Sequence, residues 1–302
     1  MRIAITGANG FVGRAVTRAL MGQGLGANLR LVDRAFDENL GCEILADCEM
    51  LALDLAASGA AAQVADGIDC LIHLAALPGA AAQADPVLSQ RVNLHASLDL
   101  LEQMRGRRVV YASSIAVFGS RFPPVIDDHT PAQPDSTYGA HKRMVELALA
   151  DMVRQNELAG LALRLPGIVA RPQADGAFGS SFLSEMLHAA KAGKPCVVPV
   201  SPDATTWLMS AAMCAHNLVH AALSPGSSPD PVNLPALHVR IGDLVAALAS
   251  TGDVSGFSHA PNPGLERVFG TLPPLVAARA VDLGFRSDGD LGALVEASLA
   301  DG

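Results

Sequence analysis

The sequence predicts an α/β fold in which a doubly wound parallel sheet is joined to a smaller carboxyl-terminal lobe. Three observations predict it. Short apolar runs alternate with helical stretches over residues 1–165, a glycine turn follows the first apolar run, and prolines punctuate the chain from Pro166 onward. Strands that alternate with helices are typical of βαβ units, which build parallel sheets covered by helices.

The elements of the first part follow one another in a regular order. The candidate strands are 2–6, 28–33, 50–53, 70–75, 108–112 and 161–165, and the candidate helices are 11–21, 86–104 and 137–155. We expect residues 1–165 to form one domain and residues 166–302 to form a second lobe. That lobe should close over the carboxyl ends of the strands, where doubly wound sheets bind ligands.

Composition limits the class of partner. Of the 302 residues 50% are hydrophobic, and the formal net charge is -9. An acidic chain disfavours nucleic acid and anionic membrane surfaces, because both require a basic face. Met1 leads directly into an apolar run, so we expect no signal peptide. Five cysteines without C-x-x-C spacing indicate reduced thiols in a cytoplasmic protein, and the scattered histidines predict no metal site.

The glycines after the first apolar run predict a dinucleotide site. Gly7, Gly10 and Gly13 lie between a predicted strand and a predicted helix, where backbone N–H groups can bind a pyrophosphate. Asp33 ends the second predicted strand, where its carboxylate can accept hydrogen bonds from an adenosine ribose. The same carboxylate would repel a 2′-phosphate, so NAD is favoured over NADP, although the adjacent Arg34 weakens that preference.

Asp54 follows the third predicted strand and has two interpretations. Its carboxylate can accept a hydrogen bond from the adenine amino group, or it can cap the amino terminus of a helix. The residues alone do not separate the two.

A serine pair, a tyrosine and a lysine form a candidate catalytic group. Tyr138 and Lys142 are four residues apart on one face of a predicted helix, and Ser113 and Ser114 follow the predicted strand 108–112. A phenol is a poor base at neutral pH, but a nearby ammonium and a positive nicotinamide ring favour the phenolate. Tyr138 can then take a hydroxyl proton while hydride leaves the same carbon for the nicotinamide. Ser114 would hold the substrate oxygen, and Lys142 would also bond the nicotinamide ribose.

These residues belong to a longer series of motifs. In chain order the series is Thr6-Gly-Ala-Asn-Gly-Phe-Val-Gly13, Asp54-Leu55, His73-Leu-Ala-Ala76, Asn93, Ser113-Ser-Ile-Ala-Val-Phe-Gly119, Tyr138-Gly-Ala-His-Lys142 and Arg164-Leu-Pro166. Its order and spacing resemble the extended short-chain dehydrogenase/reductases, in their NAD-dependent epimerase/dehydratase family. The resemblance implies an NAD-binding Rossmann domain over residues 1–165, a substrate-binding lobe over residues 166–302, and a homodimer formed through the helices 86–104 and 137–155. It adds a set of cofactor-binding residues to the glycines and acids above: Phe11, Val12, Leu55, Leu74, Ala75, Ala76, Asn93, Pro166 and Ile168.

The second half narrows the expected activity. Its motifs are Ala170-Arg-Pro172, Ser180-Ser-Phe182, Pro199-Val-Ser-Pro-Asp-Ala-Thr-Thr-Trp-Leu-Met-Ser210, Asn217-Leu-Val-His-Ala221, Leu234-Pro-Ala236 and Leu283-Gly-Phe285. They resemble a subgroup that oxidises a four-carbon sugar acid at C2 with NAD. Two departures count against nucleotide-sugar enzymes: Ile115 and Ala116 stand where dehydratases carry an Asp-Glu pair, and Gly167 stands where epimerases carry Asn. His141 stands where a neutral polar residue is typical of the family, and we expect it to have little effect.

Three residues of the second lobe are candidates for binding the acid. Arg171 can form a bidentate pair with a carboxylate, or it can form a surface or inter-lobe salt bridge. Thr205 and Trp207 lie in a predicted loop flanked by prolines that can cover the same pocket. Trp207 is otherwise an apolar anchor of the lobe's core.

Three functions remain to be separated at this point. The first is an NAD-dependent dehydrogenase of a small sugar acid, with Ser113, Ser114 and Tyr138 contacting the substrate. The second is a sugar or nucleotide-sugar epimerase that retains NAD and shows no net redox. The third is a non-catalytic NAD-sensing protein, which a fold alone never excludes.

Overall fold

The structure is a computed structural model that describes residues 1–37, 47–171 and 180–300. The chain divides into two compact units. The first gathers Met1–Gly119, Ala132–Arg164 and Ala215–Val232, and the second gathers Ser120–Pro131, Leu165–Cys214 and Asn233–Gly302. The functional division into a cofactor domain and a substrate lobe stays a prediction.

A seven-stranded sheet forms the centre of the first unit. Its strands are β1 (Ile3–Thr6), β2 (Leu29–Asp33), β3 (Glu49–Ala52), β4 (Cys70–His73), β5 (Arg108–Ser114), β6 (Ala159–Leu165) and β10 (Val232–Asn233). Their order is β10-β6-β5-β4-β1-β2-β3, with parallel pairing from β5 through β3. The chain adds β2 and β3 on one side of β1 and then adds β4, β5, β6 and β10 on the other side. The predicted doubly wound sheet is therefore confirmed.

Helices cover the two faces of this sheet. They are α1 (Phe11–Met21), α2 (Ala60–Ala65), α3 (Gly79–Ala84), α4 (Pro86–Ser89), α5 (Ala96–Gln103) and α6 (Thr137–Arg154). The predicted helix 86–104 is interrupted, because a π-helical turn over Gln90–His95 separates α4 from α5. Such turns are frequent at functional sites, and this one contains Asn93.

The core between the helices and the sheet is made mostly of aliphatic side chains. Val109 and Tyr111 of β5 pack with Val145 and Leu149 of α6 in one buried cluster. The alternation along β5 therefore fixes which of its residues face α6, and the same strand ends at Ser114.

The second unit contains two small sheets. Strands β7 (Gly167–Val169), β9 (Thr205–Ser210) and β11 (Leu237–Arg240) form one, in the order β11-β9-β7, and β8 (Cys196–Val198) pairs with β12 (Phe257–His259). The remaining helices are α7 (Ser181–Ala192), α8 (Ala211–Leu223), α9 (Ile241–Leu248), α10 (Pro263–Phe269), α11 (Ala278–Asp282) and α12 (Leu291–Ala300). Among the described residues, none of the helices combines the length and the apolar character needed to cross a membrane.

Candidate active site

The turn between β1 and α1 is built for close backbone approach. Gly7 has φ 72°, and a Cβ at Gly13 would lie 2.1 Å from the carbonyl oxygen of Gly7. Gly10 donates its N–H to the same carbonyl at 3.1 Å and precedes α1 without any side-chain cap. The first N–H groups of α1, at Phe11 and Val12, therefore require an acceptor from outside the helix. An anion such as a pyrophosphate fits this turn.

Asp33 lies beside the glycine turn and is held there by two backbone groups. Its carboxylate accepts the N–H of Asn9 at 2.9 Å and the N–H of Arg34 at 2.8 Å. Asn9 is in turn held by the guanidinium of Arg14, which donates to its carbonyl and its side-chain oxygen. A carboxylate oriented in this way has remaining lone pairs for the hydroxyls of a ribose.

The segment after β3 shows Asp54 in a local turn. Its carboxylate accepts the N–H of Ala56 at 2.9 Å, and Leu55 is half-buried. The next helix begins at Ala60 with Gly59 at its N-cap position, so the helix-capping interpretation of Asp54 is wrong, and its contact with adenine stays a prediction.

The segment after β4, which we call the 74–77 loop, packs against the glycine turn. A Cβ at Gly7 would lie 2.8 Å from the backbone nitrogen of Ala75, and Leu74 donates its N–H to the carbonyl of Thr6 at 3.1 Å. The loop ends at Leu77, whose N–H and carbonyl are both bonded to the side chain of Asn93, at 2.7 and 3.0 Å. Asn93 is buried in the π-helical turn, so this turn fixes the end of the loop.

A second set of buried hydrogen bonds ties the same loop to the sheet. His73 lies between Thr6 and Ser97, with Nδ1 2.6 Å from Thr6 Oγ1 and Nε2 2.8 Å from Ser97 Oγ. Ser97 donates to the carbonyl of Asn93, so its oxygen accepts from His73 Nε2–H. Complete burial, reinforced by the nearby Lys142 ammonium, lowers the pKa of His73 to about 3. His73 is therefore a neutral link between β1 and the π-helical turn.

The end of β5 places two serines in different surroundings. Ser114 is half-buried and accepts the N–H of Ala116 at 3.2 Å, which starts a short 3-10 turn over Ile115–Phe118. Ser113 is buried and donates its hydroxyl to Glu146 at 2.6 Å. Ser114 thus lies at the surface of the first unit, and the contact of Ser113 with substrate stays a prediction.

Helix α6 begins directly beside the turn that follows Ser114. Ser136 caps the helix by accepting the N–H of Gly139 at 3.1 Å. A Cβ at Gly139 would lie 2.3 Å from the carbonyl oxygen of Ala116. Only glycine permits this approach, which brings Tyr138 on the first turn of α6 to the end of β5.

Lys142 is buried beneath Tyr138. Its ammonium donates to the carbonyl of Ala112 on β5 at 2.6 Å and lies 5.6 Å from the centre of the Tyr138 ring and 4.7 Å from that of Tyr111. Burial lowers the pKa of Lys142 to about 7, and the Glu146 carboxylate opposes that shift. The structure therefore brings the predicted tyrosine and lysine together on one helix face, against the strand that ends in the predicted serine.

The sequence did not predict the buried charges behind this group. Glu146, one turn beyond Lys142, is fully buried and accepts from Arg164 Nε at 2.9 Å and from Arg143 at 3.0 Å. Arg164 comes from β6, so the pair joins α6 to the sheet. The available signal was the spacing of Glu146 four residues after Lys142, which places the two on one face.

The predicted residues of the second unit lie in several environments. Ile168 is buried on β7, and Trp207 is fully buried on β9, donating its indole N–H to the carbonyl of Pro273 at 2.7 Å. Thr205 donates to the carbonyl of Leu272 at 2.8 Å. Arg171 is exposed, with its guanidinium 3.4 Å from Ser180 Oγ. The predicted loop at Thr205 and Trp207 is wrong, because both residues lie on strand β9, which is paired on both sides. Trp207 thus has the surroundings of a core anchor, and the substrate contacts of Arg171, Thr205 and Trp207 and the cofactor contact of Pro166 stay predictions.

Comparison with known proteins defines the class. The model of the NAD dependent epimerase/dehydratase family matches residues 3–209. The chain therefore belongs to this family, as its motifs predict.

Two curated relatives match almost end to end. One is the D-erythronate dehydrogenase of Cupriavidus necator, 32% identical over 100% of this chain and 98% of the relative. The other is the D-erythronate dehydrogenase of Haemophilus influenzae, 28% identical over 98% of both. The predicted resemblance to a subgroup of sugar-acid dehydrogenases agrees with these names, and the prediction of an oxidoreductase acting on a CH–OH group is confirmed.

Solved structures share the fold over the whole chain. A nucleoside-diphosphate-sugar epimerase from Agrobacterium tumefaciens is 29% identical with a TM-score of 0.88, covering 100% of this chain and 95% of that one. A GalE-like L-threonine dehydrogenase from Cupriavidus necator, in its holo form, is 22% identical with a TM-score of 0.88, covering 100% and 99%. At that identity the second likeness shows the fold alone.

Proposed function

We propose that the protein is an NAD-dependent dehydrogenase that oxidises the C2 hydroxyl of a small sugar acid of the D-erythronate type. The observation that carries the proposal is the buried Lys142 under Tyr138, against the strand that ends in Ser114. The names of the two full-length relatives supply the substrate class.

NAD would be held by the first unit. The glycine turn with Phe11 and Val12 fits the pyrophosphate, Asp33 fits the adenosine ribose, and the 74–77 loop, which packs against Gly7, would line the cofactor trough. Bound NAD supplies the acceptor for the hydrogen that leaves C2 with its electron pair. Asp33 favours NAD over NADP because its carboxylate repels a 2′-phosphate.

The side chains of the first unit handle the proton. Tyr138 Oη takes the proton of the C2 hydroxyl as the carbonyl forms, and Ser114 Oγ holds the same oxygen by a hydrogen bond. The Lys142 ammonium, fixed by the Ala112 carbonyl, stabilises the phenolate by its charge. The product is the corresponding 2-oxo acid, and the proton passes from Tyr138 to solvent.

The carboxylate of the substrate requires a cation in an otherwise acidic chain. We assign this role to Arg171, whose planar guanidinium can donate two parallel hydrogen bonds to a carboxylate. Thr205 and Trp207 complete the proposed substrate set. We also propose a homodimer, because α6 exposes Met144 and Leu147, at 44% and 52%.

The epimerase alternative is favoured by the likeness to the nucleoside-diphosphate-sugar epimerase from Agrobacterium tumefaciens. One feature of this chain argues against a nucleotide-sugar substrate. A Cβ at Gly167 would lie 2.8 Å from the backbone oxygen of Trp207. The asparagine that is typical of nucleotide-sugar epimerases at this position therefore has no room.

A panel of four- to six-carbon aldonic and uronic acids, incubated with NAD and followed by NADH absorbance, tests the proposal. We expect steady NADH formation with a four-carbon acid. Conversion of a sugar or nucleotide sugar without net NADH, by protein that retains NAD through purification, would instead establish the epimerase.

A further inference from the structure

His141 is buried on α6, in contrast to the small effect expected from the sequence. It directly precedes Lys142, and only 7% of its surface is exposed. Its Nδ1 lies 2.9 Å from the hydroxyl oxygen of Ser89, the last residue of α4, which is fully buried. The catalytic helix is thus hydrogen bonded to the segment that leads into the π-helical turn.

The hydrogen bond between Ser89 and His141 continues to the 74–77 loop through Asn93. Asn93 receives the N–H of Leu77 on its side-chain oxygen and donates its amide N–H to the carbonyl of Leu77, so the amide can have only one orientation. The same amide nitrogen donates to Ser89 Oγ at 3.1 Å. Ser89 Oγ, which accepts from Asn93, is therefore hydrogen bonded to both Asn93 and His141 Nδ1.

Burial favours the neutral imidazole of His141 by lowering its pKa, and the nearby His95 lowers it further. A neutral ring with its proton on Nε2 accepts the hydroxyl proton of Ser89, and a ring with its proton on Nδ1 donates to the second lone pair of Ser89 Oγ. With either tautomer, the hydrogen bond connects His141 through Ser89 and Asn93 to Leu77.

We propose that His141 is a positioning residue that sets the affinity for the dinucleotide by fixing the 74–77 loop through Ser89 and Asn93. The loop is the relevant element because Ala75 packs against Gly7 of the glycine turn. The inference rests on the proposed function only in taking the dinucleotide to be NAD. It differs from a role in proton transfer, since it gives His141 no contact with Tyr138 Oη or with the substrate.

Two measurements that need no turnover test the proposal. The first is the dissociation constant of NAD, measured by calorimetry on the purified protein. The second is deuterium exchange of the 74–77 backbone in the protein without added NAD. For His141→Ala we expect NAD to bind about tenfold more weakly, because the buried Ser89 hydroxyl loses its hydrogen bond to the ring, and we expect faster exchange at Leu77. At saturating NAD, kcat should change less than about threefold, since the proposal leaves the base and its lysine in place.

A double-mutant cycle separates positioning from a general loss of stability. Ser89→Ala and His141→Ala should each weaken NAD binding, and the double variant should be no weaker than either single one. His141→Asn should restore much of the affinity, because its side-chain oxygen lies on the branch where Nδ1 was. His129→Asn, at an exposed histidine outside the network, should bind NAD like the unchanged protein.

Each of four outcomes would contradict either the role proposed for His141 or the proposed function. Additive effects in the cycle, or unchanged NAD affinity and unchanged exchange at 74–77 in folded His141→Ala, would overturn the proposal. A drop in kcat with unchanged NAD affinity would move His141 into the proton-transfer group and also overturn it. Failure of the unchanged protein to bind NAD would instead contradict the proposed function.

Discussion

Breaking the buried pair of Glu146 and Arg164 should strongly destabilise the first unit. Glu146 is fully buried, and only 6% of the Arg164 side chain is exposed. Two hydrogen bonds join them, at 2.9 and 3.0 Å, and the guanidinium also lies 4.9 Å from the centre of the Phe118 ring. The pair connects α6 to β6, so its loss acts on the helix that carries Tyr138 and Lys142.

Replacing Arg164 with methionine would leave the Glu146 carboxylate buried with only Arg143 as a cationic partner. Removing one member of a buried ion pair costs about 3–5 kcal/mol. At roughly 2–4 °C per kcal/mol for a protein above 150 residues, the melting temperature should fall by about 10 °C. Thermal unfolding followed by circular dichroism, together with urea unfolding, would measure both quantities.

Two variants serve as controls for this prediction. Glu146→Met combined with Arg164→Met removes both charges, so it should cost much less than Arg164→Met alone. Arg154→Met removes an exposed pair with Asp151 on the same helix and should change stability by less than about 1 kcal/mol. The prediction is refuted if Arg164→Met unfolds within about 2 °C of the unchanged protein, the effect of ~1 kcal/mol, or if the double variant is the least stable.

Four further predictions concern the proposed chemistry. Tyr138→Phe should lower kcat by about 10²–10⁴ while NAD binding is retained, since only the base is lost; a normal kcat would exclude Tyr138 as the base. Asp33→Ala should raise KM for NAD and relax the discrimination against NADP, measured as the ratio of kcat/KM values; a preference of the unchanged enzyme for NADP would contradict this. Arg171→Ala should weaken binding of the acid far more than binding of NAD, with partial rescue by lysine; equal losses in both would indicate a misfolded lobe instead. Lys142→Met should abolish turnover and unfold at a higher temperature than the unchanged protein, most clearly at or below pH 7. Burial lowers the pKa of Lys142 from 10.5 to about 7. Between these two pH values the unfolded chain binds one more proton than the folded protein. The free energy of unfolding of the unchanged protein therefore increases as pH rises through that window. A melting-temperature difference between the two proteins that is independent of pH would contradict the last prediction.

The parts of the fold that could be predicted depend on local pattern. Strands β1 and β5 follow from apolar runs, and the glycine turn follows from its position after β1. Helix α6 matches the predicted helix 137–155, and the structure ends it one residue before the predicted boundary. These features are set by residues close together in the sequence, so a single sequence suffices to predict them.

The parts that could not be predicted depend on packing between distant residues. The π-helical turn within the predicted helix 86–104 was not predicted, and it contains Asn93, whose side chain is bonded to Leu77 on a different segment. In the sequence Glu146 resembles any charged residue on a helix surface, because its partner Arg164 lies on a different element, β6. The residues around His141 in the sequence likewise do not indicate its burial, because its partner Ser89 lies on another helix, α4.

The most direct test of the proposed oxidation is to follow the hydrogen at C2. D-erythronate carrying deuterium at C2 would be incubated with the purified protein and NAD, and the reduced cofactor and the product would be analysed by mass spectrometry. We predict that deuterium appears in the reduced cofactor and that the product is the unlabelled 2-oxo acid. Reduced cofactor without deuterium, or a product that keeps its deuterium, would show that C2 is not the carbon oxidised and would contradict the proposed function.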